Sequence, residues 1–220
     1  LEIRRQLERE MSERVTVLRQ AVSFWLFSEE VSREEFRGYA GRLLSQKQEL
    51  FFNLSYSGPD FKLRWAEPET LTRNVIGLDH SIDPYRYPHM TPQEIRDEVV
   101  IGGVYRLKAA DREGFCIIAP IFYGTRFEGF ITGTVVLEAL FRDVISPAKL
   151  LDRHVTVRDS RGQGKILFNA GVEVPPGTLE ERIRFTLENL EWDLEIWAQP
   201  LEKGLLNTPH HLIRLVGVLA

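Results

Sequence analysis

Histidine is the residue type in this sequence best suited to hold a metal ion or haem, and its spacing argues against such a site. The five histidines are His80, His89, His154, His210 and His211. The adjacent pair His210 and His211 is the nearest approach to a ligand motif, and neighbouring residues seldom point to one ion. We therefore expect no metal and no cofactor.

Catalytic chemistry would need a different set of residues. Asp79, His80 and Asp83 lie close together, but the sequence has no elbow serine, no glycine-rich phosphate loop and no carboxylate pair at strand ends. The single cysteine, Cys116, lies in an apolar run, where a thiol usually packs as a small hydrophobe. The domain is therefore not expected to be an enzyme.

Two charged residues could contact a small molecule. Arg106 could form a bidentate pair with a carboxylate, and Asp79 could accept a hydrogen bond from an amine. Each has a simpler interpretation: Arg106 as a solvated charge on an edge strand, and Asp79 as a carboxylate that caps a turn. Both interpretations stay open at this stage.

Two helices are predicted at the start of the chain. Residues 1–27 carry a narrow apolar seam between mixed charges, which suits either a stalk and dimer face or an ordinary core-packing helix. Ser32 and Glu35 form a capping box, which predicts that a second helix begins there.

From Leu50 onward the apolar period changes from helical to extended. Alternating residues predict strands over 52–56 and 61–65, over 104–108, 114–123 and 127–137, and again in four short segments between 154 and 198. A short helix is predicted to open at Thr91 and to stop at Gly102 and Gly103. The fold class is α+β, with a long N-terminal helix followed by two PAS-like antiparallel-sheet subdomains.

Composition excludes several classes of protein. The 220 residues are 43% hydrophobic, enough for one good core or two small ones. With 28 Lys and Arg against 32 Asp and Glu, the chain lacks the positive excess needed to bind nucleic acid. One cysteine permits no intramolecular disulfide.

The order of these elements resembles the CHASE family of extracytoplasmic sensor domains. Residues 114–124 and 127–133 look like the family's pair of central strands, and Asn74–Asp79 is similar to its "n-x-x-G-x-D" element. The resemblance covers residues 1 to about 145 well and the C-terminal sheet loosely. In the plant members a carboxylate in the strand region near Trp65 contacts an adenine-type hormone. No equivalent carboxylate can be placed here, so that ligand is not carried over.

The resemblance implies a periplasmic, ligand-binding input domain of an inner-membrane histidine kinase or diguanylate cyclase. The expected parts are stalk helices over 1–50, a membrane-distal ligand-binding subdomain over 51–146 and a smaller membrane-proximal subdomain over 147–200. Residues 201–220 would lead to a membrane helix. The domain would form a homodimer through its N-terminal helix, and it would contact the membrane only through flanking helices. The alternative is a domain that recognises a protein partner and binds no small molecule.

In a PAS-like sheet one face carries a helix and the other cups the ligand, so alternate residues of the central strands should face the site. Gly133 would leave room for the ligand. The predicted ligand-binding residues are Trp65, Asp79, Tyr105, Arg106, Leu107, Phe115, Ile117, Ala119 and Gly133.

Overall fold

The computed structural model describes residues 2–46, 50–82, 99–145, 153–160, 164–171, 179–187 and 190–198. Within these ranges a long helix is followed by two antiparallel sheets, which confirms the predicted α+β fold. The segment 201–220, the start of the helix predicted at Thr91, and the histidines His89, His210 and His211 lie outside the described residues.

The apolar seam of helix α1 (Glu2–Phe27) packs against residues of its own chain. Leu7, Met11, Leu18 and Trp25 are buried in a core cluster that includes residues of both sheets. Charged and polar residues occupy the opposite face, as the amphipathic pattern requires. The structure therefore shows the core-packing role that the sequence left open.

Helix α2 (Arg33–Gln46) begins at the predicted capping box. The amide of Ser32 donates to Glu35 Oε2 at 2.9 Å, and the amide of Glu35 donates to Ser32 Oγ at 3.2 Å. These reciprocal bonds satisfy two amides that have no partner within the helix. The local prediction is confirmed in detail.

Six strands of the first sheet lie within the described residues. They are β1 (Asn53–Ser57), β2 (Leu63–Glu67), β3 (Val100–Ile101), β4 (Tyr105–Leu107), β5 (Arg112–Tyr123) and β6 (Arg126–Val136). The order is β2-β1-β6-β5-β3, β4 also pairs with β5, and every pairing is antiparallel. Short helices α3 (Glu69–Thr72) and α4 (Leu137–Val144) follow β2 and β6.

Strand β3 corrects one expectation. The sequence predicted that a helix would run up to Gly102, whereas Val100 and Ile101 pair with Ile118 and Ile117 of β5. Ile101 is fully buried in the core cluster, and its pairing partners lie far away in sequence. A long-range pairing of this kind overrides local helix signals.

The second sheet consists of β7 (Arg153–Asp159), β8 (Ile166–Gly171), β9 (Leu179–Leu187) and β10 (Leu190–Ala198), in the order β8-β7-β10-β9. Trp192 of β10 joins it to the first sheet, because its ring lies 5.8 Å from that of Phe115 and 5.6 Å from that of Phe141. The two sheets and α1 therefore share one apolar core. In the described part of the chain, no helix combines the length and apolarity that crossing a membrane demands.

Candidate functional site

The three central strands of the first sheet have two very different faces. Leu54, Phe115, Ile117 and Ile131 pack in the core cluster with α1. The opposite face carries the alternate residues, and many of these are polar although they are buried. They are Asn53, Ser55 and Ser57 of β1, Cys116 of β5, and Thr132 and Thr134 of β6.

Strand register brings these polar groups into rows across the sheet. Asn53 pairs with Thr134, which pairs on its other side with Cys116. The next row joins Ser55 to Thr132. Directly paired residues of antiparallel strands share one face, so the rows form a continuous polar floor.

A cavity lies over this floor. Besides the floor residues, it is lined by Leu63, Val75, Leu78, Leu107, Lys108 and Ala109. Its empty space of about 370 Å³ includes open solvent, and about 30 Å³ of it can hold the centre of a water molecule. A water needs roughly 10–15 Å³ by that measure, so the cavity is narrow but not closed to small molecules.

Several polar atoms of the floor have no hydrogen-bond partner among the described residues. They include Oδ1 of Asn53, Oγ1 of Thr132 and Oγ of Ser57. Asn53 and Thr132 both line the cavity and are 3% and 2% exposed. An unpaired buried polar group costs about 1–3 kcal/mol, so these atoms are suited to bind a molecule that enters the cavity.

Weaker contacts link the floor residues Thr134 and Cys116 to Tyr105. The hydroxyl of Tyr105 lies 3.0 Å from Sγ of Cys116, and Cys116 Sγ lies 3.7 Å from Oγ1 of Thr134. Cys116 is 1% exposed and lines the cavity. The thiol therefore lies in the wall of the site, and because it is buried it reacts only when this wall opens, which a bound molecule would oppose.

Two of the residues predicted to bind a ligand belong to this side of the sheet. Leu107 lines the cavity, and Tyr105 contacts the lining residue Cys116. Both are buried in a cluster with Ile118 and Phe130, separate from the core under α1.

Four other predicted residues face the helix side. Phe115, Ile117 and Ala119 are buried in the core cluster with α1. A side chain at Gly133 would collide with the ring of Phe51, so the space there is filled by protein. These four positions therefore face away from the cavity described above, and a shift of one residue along β5 separates the two faces.

The remaining three predicted residues lie away from the cavity lining. Trp65 stacks at 5.8 Å on Trp25 of α1. Asp79 accepts hydrogen bonds from the amide and hydroxyl of Ser81, and the hydroxyl bond is the first cause of its lowered pKa. Arg106 is exposed and pairs with Asp111 at 2.9 Å. Asp79 and Arg106 thus have the simpler roles of turn cap and surface charge.

Sequence reasoning did not select the polar floor. Its signal was present in the spacing of Thr132 and Thr134, and of Asn53 and Ser55, at alternate positions within otherwise apolar strands. Polar residues that recur with period two on a central strand are buried on one face together. Such a row indicates a lined cavity rather than an apolar core.

A second depression, with about 1470 Å³ of space that includes open solvent, lies beside α1, β6 and α4. Its charged residues are Arg14, Arg112 and Arg142, and each already pairs with a glutamate. Asn53 and Thr132, which carry two of the unpaired buried atoms described above, both line the smaller cavity. We therefore assign the site to the smaller cavity.

Comparison with solved structures finds the same fold in several sensor domains. The ligand-binding domain of the Pseudomonas aeruginosa amino acid chemoreceptor PctC, in complex with GABA, matches with a TM-score of 0.63 and 12% identity, over 88% of this chain and 93% of that chain. The corresponding domain of the Pseudomonas fluorescens chemoreceptor CtaA, in complex with L-serine, gives 0.61 and 12%, over 90% and 92%. The V. cholerae histidine kinase DctB sensor domain gives 0.57 and 12%, over 90% and 95%.

No protein-family model and no curated protein matches the chain. The resemblance to the CHASE family in particular therefore stays a prediction. At these identities the structural matches establish the fold, and each match covers nearly the full length of this chain and of the matched domain. The chain therefore shares the fold of these domains, in which a long helix is followed by two antiparallel sheets.

Proposed function

We propose that this chain is the extracytoplasmic input domain of a transmembrane signalling protein, and that it binds a small molecule in the cavity over β1, β5 and β6. The main observation is that Asn53 and Thr132 line this cavity and that each carries a buried oxygen, Oδ1 and Oγ1, without a partner among the described residues. The fold shared with ligand-binding domains of chemoreceptors and with a kinase sensor domain supports the assignment.

The packing of α1 gives the signal a route. Strands β5 and β6 carry the cavity on one face and pack against α1 on the other, and α1 also contacts β9 of the second sheet. A ligand that fits one arrangement of the floor better than another would shift the position of α1. The output would be a histidine kinase or a diguanylate cyclase beyond the membrane, in keeping with the CHASE resemblance.

A homodimer through α1 is part of the same proposal. Because the apolar seam of α1 is buried in its own core, the partner helix would meet the polar face, where Arg4 and Arg19 are exposed. Such an interface would be weak in isolation and sensitive to salt. Weak association would allow a small shift of α1 to change the dimer.

The test is a thermal-shift screen of the purified chain with a broad panel of metabolites. A compound at a hundred times its Kd should add about 2.7 kcal/mol to the free energy of unfolding. That gain should be lost in Thr132→Val, which removes the hydroxyl from the cavity, and kept in Thr156→Val, which lies in the second sheet. If no compound stabilises the chain, the small-molecule proposal fails and recognition of a protein partner is favoured.

A further inference from the structure

The described lining of the cavity carries almost no charge. It consists of hydroxyl, amide, thiol and aliphatic side chains, together with Lys108. Lys108 is an exposed residue, so its charge is not held among the buried groups, and no described lining residue is acidic. The buried polar atoms of the described lining are therefore neutral.

A neutral lining limits what can be buried there. Moving an ammonium or a carboxylate out of water is costly unless a charged or strongly hydrogen-bonding partner replaces the solvent. GABA and L-serine, which the similar domains of PctC and CtaA hold, each carry both charges. The described residues of this cavity offer no carboxylate to pair with an ammonium.

The unpaired atoms also define what the ligand must supply. Oδ1 of Asn53 is an acceptor and needs an N–H or O–H donor, whereas Oγ1 of Thr132 can donate or accept. A hydroxyl or a carboxamide meets both needs without bringing a charge. The narrow volume restricts the buried part of the ligand to a few heavy atoms.

We infer that the cavity binds a small, uncharged ligand that presents a hydroxyl or carboxamide group to Asn53 and Thr132, and that it discriminates against an ammonium group. This inference rests on the proposed sensor function and names the class of ligand that the site takes. It separates the chain from receptors of zwitterionic amino acids that share its fold.

The experiment compares four compounds of nearly the same shape and different charge. Lactamide is neutral, lactate is an anion, L-alanine is a zwitterion and alaninamide is a cation. Glycerol serves as a second neutral compound and separates hydroxyl from carboxamide recognition. Binding is read by thermal shift and by the rate at which a maleimide labels Cys116, which is the only cysteine in the sequence and lines the cavity.

Lactamide or glycerol should slow the labelling of Cys116 and raise Tm, while lactate, L-alanine and alaninamide should do neither. Protection of Cys116 by lactate would contradict the expectation of an uncharged ligand. In Asn53→Asp a carboxylate enters the floor, so alaninamide should gain about tenfold in affinity. Thr156→Val is the control that leaves the cavity intact and should keep the wild-type selectivity. If alaninamide leaves the labelling rate of Cys116 unchanged in the Asn53→Asp variant, that result would contradict the role assigned to Asn53.

Protection of Cys116 by L-alanine or alaninamide in the wild-type chain would overturn the inference while leaving the sensor proposal in place. Absence of protection by both neutral compounds would also overturn it. The sensor proposal itself fails on a separate result, namely the absence of any stabilising compound in the broad panel.

Discussion

Arg14 of α1 donates a hydrogen bond from Nε to the backbone carbonyl of Leu50, at a distance of 2.8 Å. Its side chain is buried, and Nη1 also donates to the carbonyl and the carboxylate of Glu10 at 2.8 and 2.9 Å. Leu50 lies just before β1, the strand that carries Asn53. One buried guanidinium therefore ties the N-terminal helix to the strand that forms the cavity floor.

Arg14→Met should destabilise the chain by about 3 kcal/mol, because it leaves the buried carbonyl of Leu50 without this donor and Glu10 without its ion pair. Urea unfolding measures the change. Arg4→Met is the matched control, since Arg4 pairs with Glu8 at the same helical spacing but on an exposed face. It should cost no more than about 0.5 kcal/mol. Equal losses in the two variants would show that Arg14 is not a structural tie.

Local features were predicted from the sequence because each is decided by a few neighbouring residues. The capping box of Ser32 and Glu35 and the hairpin of β1 and β2 are of this kind. The sequence left the simpler roles of Asp79 and Arg106 open beside ligand binding, and these roles are also local, since the partners Ser81 and Asp111 lie within five residues.

The face of the sheet that carries the site was not predictable in the same way. Residues 114–121 of β5 are all buried, so the period of two that separates the faces disappears from its hydrophobic pattern. The face of Phe115 is decided by α1, which lies far away in the sequence and covers it. The polar residues of β1 and β6 indicate which face this is, because Thr132 and Thr134 are buried on the side that α1 leaves uncovered.

Thr132→Val should leave the stability of the free chain unchanged or raise it by about 1 kcal/mol. It removes a buried hydroxyl that lacks a described partner and replaces it with a methyl group of similar size. Thr156→Val is the matched change at a site where the hydroxyl donates to Asn169 at 3.0 Å, and it should cost about 1 kcal/mol. Chemical denaturation of both variants checks the contrast. A larger loss for Thr132→Val would show that its hydroxyl is satisfied by the protein.

Tyr123→Phe should loosen the C-terminal end of α1. The Tyr123 hydroxyl lies 3.1 Å from the carbonyl oxygen of Trp25 and 3.3 Å from that of Ser28, at the helix end where carbonyls lose their regular intrahelical donors. The Trp25 carbonyl also accepts a hydrogen bond from the amide of Ser28 at 3.3 Å. Hydrogen exchange should become faster for amides in the last turn of α1 and stay unchanged in its first turn. Because the hydroxyl is partly exposed, the global loss of stability should be about 1 kcal/mol or less. Uniform acceleration along the helix would contradict this local role.

Acid should remove the stabilising effect of the α2 cap. The hydrogen bond from the Ser32 amide, followed by that from its hydroxyl, lowers the pKa of Glu35 below the ordinary value of 4.5. A carboxylate whose pKa is depressed by folding contributes stability that is complete above its unfolded pKa and is lost as the pH falls through the folded pKa. Wild type should therefore be more stable than Glu35→Gln at neutral pH, and the difference should shrink below about pH 4.5.

Urea unfolding of the two chains across this range measures that difference and cancels the titration of the other carboxylates. Ser32→Ala provides the control. It removes the hydroxyl that donates to the Glu35 carboxylate and accepts from the Glu35 amide. In that background, the effect of Glu35→Gln on stability should depend less on pH. A difference that stays constant down to the lowest pH would mean that the charge of Glu35 contributes nothing to the cap. The helix would then begin at Arg33 for steric and packing reasons alone, with Phe36 and Ala40 as its buried contacts.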